Sequence, residues 1–190
     1  MSRELTGKAI LGSGGPGHLG RPLISALLSS GAFVINISSK KIDEDAIGAN
    51  SGNFLHFIAD LNLEDEVMEV RDALSKELVI DGLLNLAART PRGISLDLNA
   101  VEFLAVFSSV VLPTWNVTRV FHSRLRDGAS IVNVGSLWGL VSPKPSLYLD
   151  LANEPAVPLP AAKAAVMQLS NYLAVLLADR AIRVNNLVPG

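Results

Sequence analysis

The chain has no cysteine, which excludes disulfides, thiolate nucleophiles and cysteine-ligated metal. It also lacks a basic block. Its net charge is −2 and only 18% of its residues are charged, so a nucleic-acid or anionic-membrane surface is not its main business. No apolar run reaches the roughly 18 residues of a transmembrane helix. Met1 to Lys8 is polar and no apolar segment with a cleavage site follows it, so no secretory signal is read. The three histidines, His18, His56 and His122, are scattered without metal-ligand spacing and read as ordinary polar side chains. Internal repeats and low-complexity segments are missing. The absence of cysteine fits a reducing cytoplasm, the expected location.

What is present is a strongly apolar chain: 190 residues, 49% of them hydrophobic. That length fits a single domain, in which roughly 70% of the unfolded surface can be buried. Short apolar runs alternate with segments of helical period. Strands are expected at Lys8–Leu11, Phe33–Ile37, Phe54–Ala59, within Leu78–Leu86, at Ser130–Val134 and at Arg183–Val188. Helices are expected at His18–Ser29, with Pro22 in its first turn and Gly31 as the stop, and at Leu63–Lys76. A long helix is expected over Leu98–Arg124, bent at Pro113, and another over Leu159–Asp179. The strands are apolar on both faces, as a covered parallel sheet requires. The order reads as βαβαβαβαβαβ, a doubly wound α/β domain whose six strands are mainly parallel with helices on both faces.

The first strand–turn–helix carries Gly14, Gly17 and Gly20 at three-residue intervals. Gly14 permits the tight turn, Gly17 lets backbone approach a pyrophosphate, and Gly20 lets the helix pack on the sheet. The helix N-terminus that follows offers N–H groups and partial positive charge to phosphate. The other reading is a glycine-rich turn that only packs tightly. A second unusual stretch is Gly139–Pro160, rich in proline and leaving the C-terminal end of strand five, where open α/β sheets bind ligands.

Five segments, in order along nearly the whole chain, resemble the short-chain dehydrogenase/reductase family, a Rossmann-fold group. They are Ser13-Gly14-Gly15-Pro16-Gly17-His18-Leu19-Gly20, then Ile58-Ala59-Asp60-Leu61, then Asn85-Leu86-Ala87-Ala88. The last two are Ile131 to Gly139 around Ser136, and Ile182 to Gly190. The resemblance implies a nicotinamide dinucleotide held by Ser13, Gly14, Gly17, His18, Leu19 and Gly20. It places Asp60 and Leu61 at the adenine, Asn85 and Ala87 beneath the cofactor, and Lys163 on the nicotinamide ribose. Asp60 has a second possible role, capping the helix after it. Asn85 could equally fix strand four to its neighbours.

The same resemblance implies hydride transfer between nicotinamide and a carbonyl or alcohol, with Ser136 orienting the substrate oxygen and Lys163 lowering the pKa of a catalytic tyrosine. The position of that tyrosine, one helical turn before Lys163, holds Leu159, and the family's helix asparagine aligns with Val110. Losing a positioned acid/base costs about 10²–10⁴-fold in rate. Tyr148, 12 residues after Ser136, is a candidate substitute, although Ala152 rather than lysine stands four residues beyond it. The alternative is a dinucleotide-binding relative without turnover, acting as a partner subunit or sensor.

The loop from Ser136 to Lys163 is similar to that of reductases of flagellin-glycan and surface-polysaccharide pathways, which implies a small, sugar-like substrate. At the end of strand two, Ser38, Ser39 and Lys40 stand where an NAD enzyme usually has Asp or Glu, and no acid appears before Asp43. That favours NADP over NAD, unless Lys40 and Lys41 are only a solvated turn. Relatives pair through the two long helices, so a homodimer is implied. Family members also continue beyond the Pro-Gly pair that ends this chain, so a C-terminal strand and substrate segment are expected to be lacking and strand six to be an exposed edge.

Overall fold

The computed structural model describes residues 4–48, 52–88, 97–142, 144, 146 and 157–189. Six strands form one parallel sheet: β1 (Ala9–Ser13), β2 (Phe33–Ser38), β3 (Phe54–Ile58), β4 (Ile80–Asn85), β5 (Leu125–Val134) and β6 (Arg183–Leu187). Their order across the sheet is β3-β2-β1-β4-β5-β6. The order reverses between β1 and β4, which opens a crevice at their C-terminal ends. The helices are α1 (Gly20–Ser29), α2 (Glu64–Ala73), α3 (Ala100–Phe121) and α4 (Pro158–Leu176).

The doubly wound α/β fold agrees with expectation, with one correction. No α-helix joins β2 to β3 among the described residues; that connection carries a single 3-10 turn, Asp45–Ile47. Its neighbours Asp43, Glu44 and Gly48 favour turns, and Gly48 is left-handed at φ 69°. β5 begins five residues earlier than its apolar run suggests, at Leu125. Leu125 pairs with Ile80, and the register shifts before Gly82 meets Ser130, with Gly128 at φ 81° in between.

Alternation along each strand divides the core. Leu11, Ile35, Leu83 and Ile131 meet Val67 and Val70 of α2 and Val117, Val120 and Phe121 of α3. Ile10 and Val34 point the other way, to Ile24 and Leu28 of α1. Right-handed crossovers require this arrangement, with α1 alone on its face. Only the inner strands are buried on both sides: β1 is buried throughout, while the edge strand β6 alternates exposed and half-buried positions. α3 is long and apolar enough to cross a membrane by composition, but its buried face is spent on the sheet. It starts at a capping box, in which Asn99 accepts from Glu102 N–H and Glu102 accepts from Asn99 N–H. Pro113 lies inside α3 without ending it.

Directly beneath the crevice the apolar core is interrupted. Asn85, Asn133 and Asn186 are register partners across β4, β5 and β6. Asn85 Nδ2 donates to Asn133 Oδ1 at 2.8 Å and to Thr118 Oγ1 of α3 at 3.0 Å. Asn133 Nδ2 donates to Ser170 Oγ of α4 at 2.7 Å, and Ser170 lies 2.8 Å from Asn186 Oδ1. Asn133 and Ser170 are both 0% exposed, so water cannot substitute for a lost partner. Asn133→Ala removes one buried hydrogen bond from each of Asn85 and Ser170 and is expected to cost about 2–4 kcal/mol, read as a lowered urea midpoint at unchanged slope.

Candidate active site

The crevice is a cleft of about 340 Å³. Its walls come from the glycine loop (Gly14, Gly17, His18, Leu19, Gly20), the end of β4 (Leu86, Ala88), the end of β5 (Val134, Gly135, Ser136), Trp138, α4 (Leu159, Lys163) and Pro189. Residues far apart in sequence are thus brought together because all sit at the same end of parallel strands. A larger hollow of about 510 Å³ lies between edge strand β3 and α2, lined by Ile58, Glu66 and Glu69 among others, and none of the predicted site residues lines it.

The glycine loop is built as its spacing requires, in part for other reasons. Gly14 has φ 78°, and a Cβ there would fall 2.7 Å from Ala87 N, so both conformation and contact demand glycine. At Gly20 a Cβ would strike Gly14 O at 2.5 Å and Gly15 O at 2.6 Å. Gly20 therefore makes room for the loop's own carbonyls rather than for the sheet, a correction to the sequence reading. Gly17 is exposed and a Cβ would meet only Gly14 O, at 3.3 Å. The first turn of α1 carries no acidic residue, whereas α2 fills its own with Glu64, Asp65 and Glu66. The positive end of α1 is therefore left without a nearby acid to offset it, as an anion would require.

Several predicted contacts are engaged elsewhere. Ser13 is buried, and its Oγ accepts from Leu86 N–H (3.2 Å) and Ala87 N–H (3.3 Å), tying the glycine loop to the exit of β4. Leu61 is buried in the core and its carbonyl accepts from Asn116 Nδ2 at 3.0 Å, so its side chain is turned away from any ligand. Asp60 is exposed, and its Oδ1 accepts from both Asn62 N (2.9 Å) and Asn62 Nδ2 (2.8 Å). It closes the turn before α2 but does not cap that helix, whose N-cap is Leu63. Asn85 holds β4 to β5 and α3, and among the described residues its Oδ1 has no partner. Ser38, Ser39 and Lys40 end β2 on the far side of the glycine loop, outside the cleft walls: Ser38 is buried with its hydroxyl donating to Lys40 O (2.7 Å), and Ser39 and Lys40 are exposed. Tyr148 lies outside the described residues.

Ser136 Oγ accepts from Trp138 N–H at 3.2 Å, opening a 3-10 turn over Leu137–Gly139. That turn presses on α4: a Cβ at Gly139 would fall 2.9 Å from Ala164 N. Among the described residues the Ser136 hydroxyl donates to no acceptor, and Ser136 lines the cleft. Lys163 is 8% exposed, and its Nζ donates to Val134 O at 2.7 Å. Burial lowers its pKa to about 8. Beside it, Leu159 and Val110 share one apolar cluster with Ala162 and Val166, with Trp138 and Phe107 packed against it. The sequence reading missed Trp138, Leu86, Ala88 and Pro189 as cleft walls, although each adjoins a motif residue.

The lysine sets a pH signature. Between pH of about 8 and 10.5 the folded lysine has lost its proton while the unfolded one retains it, so stability rises with pH across that window. Lys163→Met is therefore expected to be more stable than the native chain at pH 7, by up to a few kcal/mol. The gap should shrink as pH is raised through the window, measured as paired melting curves from pH 6 to 11.

Residues 8–190 match the family described as short chain dehydrogenase. The chain is 29% identical over 188 residues to an uncharacterized short-chain type dehydrogenase/reductase, y4vI, of Sinorhizobium fredii, covering 97% of this chain and 32% of that protein. It thus spans about a third of that relative's length. It is also 29% identical over 202 residues to a 2,5-dichloro-2,5-cyclohexadiene-1,4-diol dehydrogenase of Sphingobium indicum, covering 98% of this chain and 73% of that one. A crystal structure of a short chain dehydrogenase from Leptospira borgpetersenii with bound NAD+ superposes with a TM-score of 0.83 at 25% identity, over 98% of this chain and 72% of that one. With the family matched from the first strand to the last residue, and with the glycine loop, Ser136 and Lys163 lining one crevice, this chain belongs to the short-chain dehydrogenases.

Proposed function

We propose that the chain is a nicotinamide-dinucleotide-dependent oxidoreductase acting on a carbonyl or alcohol of a small molecule. The supporting observation is the convergence of the glycine loop, Ser136 and Lys163 on one cleft at the switch point of the sheet. The open N-terminus of α1 and the exposed backbone at Gly17 suit a pyrophosphate. When bound, the nicotinamide supplies or accepts the hydride. The chain's own residues do the rest. Lys163 presents its ammonium to the ribose hydroxyls from a buried seat. Ser136 donates its hydroxyl proton to the substrate oxygen and so orients the carbon that reacts. The proton for that oxygen comes from Tyr148 or from a water beside Lys163, whose pKa near 8 permits exchange at neutral pH. NADP is favoured over NAD by Ser38, Ser39 and Lys40 at the end of β2, where no acid stands. The long connection from Gly139 to α4 supports a sugar-like substrate, and the lack of cysteine supports a cytoplasmic site of action.

A second reading is favoured by the cluster beside Lys163. Leu159 is 2% exposed and Val110 1%, and neither can move a proton. On this reading the chain binds dinucleotide as a subunit or sensor without turning over.

Titration with NADPH and NADH, followed by nicotinamide fluorescence, tests the shared element. No binding of either at millimolar concentration would remove both readings. Turnover by the native chain supports the oxidoreductase. Turnover that emerges only in Leu159→Tyr, rising about 10²–10⁴-fold, supports the silent binder.

We also propose a homodimer through the outer faces of α3 and α4, which expose Val101, Leu104 and Trp115 beside Tyr172, Val175 and Leu176. Sedimentation velocity should show a dimer that Val175→Glu converts to monomer; a monomeric native chain would rule the pairing out.

A further inference from the structure

Two loops of the proposed dinucleotide site lie on different strands, and one side chain outside the cleft connects them. Gly15 N–H, in the glycine loop, donates to Asn36 Oδ1 of β2 at 3.0 Å. Asn36 is 0% exposed, and a Cβ at Gly15 would fall 2.5 Å from that same oxygen, so the loop rests on the amide. With Oδ1 so occupied, Nδ2 faces His56 Nδ1 of β3 at 2.9 Å. An amide nitrogen can only donate, so Nδ1 carries the lone pair and the ring proton belongs on Nε2. Nε2 lies 3.0 Å from Lys40 O, an acceptor, which calls for the same tautomer; the contact of Nδ1 with the acceptor Asn36 O is longer, at 3.3 Å. Ser38 Oγ donates to that carbonyl as well, at 2.7 Å. The half-buried ring stacks on Phe54 with centroids 6.4 Å apart.

The Ser38–Lys40 turn is thereby clamped from both sides, with the side chains of Ser39 and Lys40 exposed. We propose that neutral His56, protonated at Nε2, is the positioning residue that locks this turn and the glycine loop into one frame, and so sets affinity for the phosphorylated adenosine-ribose end of the dinucleotide. This rests on the dinucleotide reading given under Proposed function.

The histidine substitutions separate the two ring nitrogens. Gln extends far enough to place its amide near Nε2 and keep the bond to Lys40 O. Asn reaches only the position of Nδ1. Phe retains the stacking and loses both bonds. Isothermal titration of the full chain with adenosine 2′,5′-bisphosphate and with adenosine 5′-monophosphate should show His56→Gln, which keeps the bond to Lys40 O and loses the one to Asn36, weakening the bisphosphate less than His56→Phe does. His56→Asn should weaken the bisphosphate about tenfold, the loss of the bond to Lys40 O, His56→Phe, which loses both bonds, at least as much, and the monophosphate should be weakened less in each. Native-like affinity in all three variants overturns the proposal, as does a loss for both ligands that tracks the fall in melting temperature. Long-range ¹⁵N–¹H spectra of the native chain must show the Nε2–H tautomer; an Nδ1–H ring overturns the proposal without any variant. If the native chain binds NADPH or NADH while these tests fail, only the role of His56 falls. If it binds neither dinucleotide, the dinucleotide reading falls with it.

Discussion

The structure depends on a row of amides, buried at Asn85 and Asn133 and half-buried at Asn186. Asn85, Asn133 and Asn186 stand side by side across β4, β5 and β6, and Thr118 and Ser170 extend the row to α3 and α4. Apolar packing holds helices against a sheet without direction, and a helix so held can slide or rotate at small cost. Hydrogen bonds between fully buried groups cannot, because any displacement leaves a donor or acceptor unpaired. The row therefore fixes the rotation of α3 and α4 at the level of the crevice. Lys163 is two helical turns from Ser170, and Val134, whose carbonyl takes the lysine, directly follows Asn133. The geometry of the cleft is inherited from this row.

Above it, polarity is distributed unevenly. The glycine loop and α1 present N–H groups with no nearby acid in the helix's first turn. Lys163 is buried with a backbone carbonyl as its partner, and desolvation alone accounts for its depressed pKa. On its other side the wall is Leu159, Val110 and Ala162. The cleft is thus suited to hold an anionic, extended ligand at one end and to orient an oxygen at Ser136. Proton delivery along the α4 wall has no titratable group beyond the lysine among the described residues lining it.

Much of this was legible before any coordinates. Strand and helix positions followed from apolar runs and period, because inner parallel strands are apolar on both faces and helices bury one stripe. Gly14 read correctly as a turn residue, since a positive φ is a local demand that glycine alone meets cheaply. The errors were tertiary. Gly20 was assigned to sheet packing, but it faces the carbonyls of its own loop. The strand–helix alternation implies a fifth helix, between β2 and β3, where the described residues carry only a 3-10 turn. Each depends on which neighbour a residue meets, and spacing along one chain does not encode that.

The sequence by itself determined the doubly wound architecture and, through its resemblance to the short-chain dehydrogenases, singled out Ser136, Lys163 and Leu159 as candidates. The architecture is a property of local pattern, of periodicity and glycine spacing, and the candidates are what the family resemblance implies. Tertiary structure decided how they act. It buried Lys163 against Val134 O, joined Val110 to Leu159 across two helices, turned Ser13 onto the exit of β4, and linked Asn36 to His56 between adjacent strands. The physical reason is that desolvation and hydrogen-bond partnership are set by atoms brought near in space, and in a parallel sheet those atoms come from segments tens of residues apart.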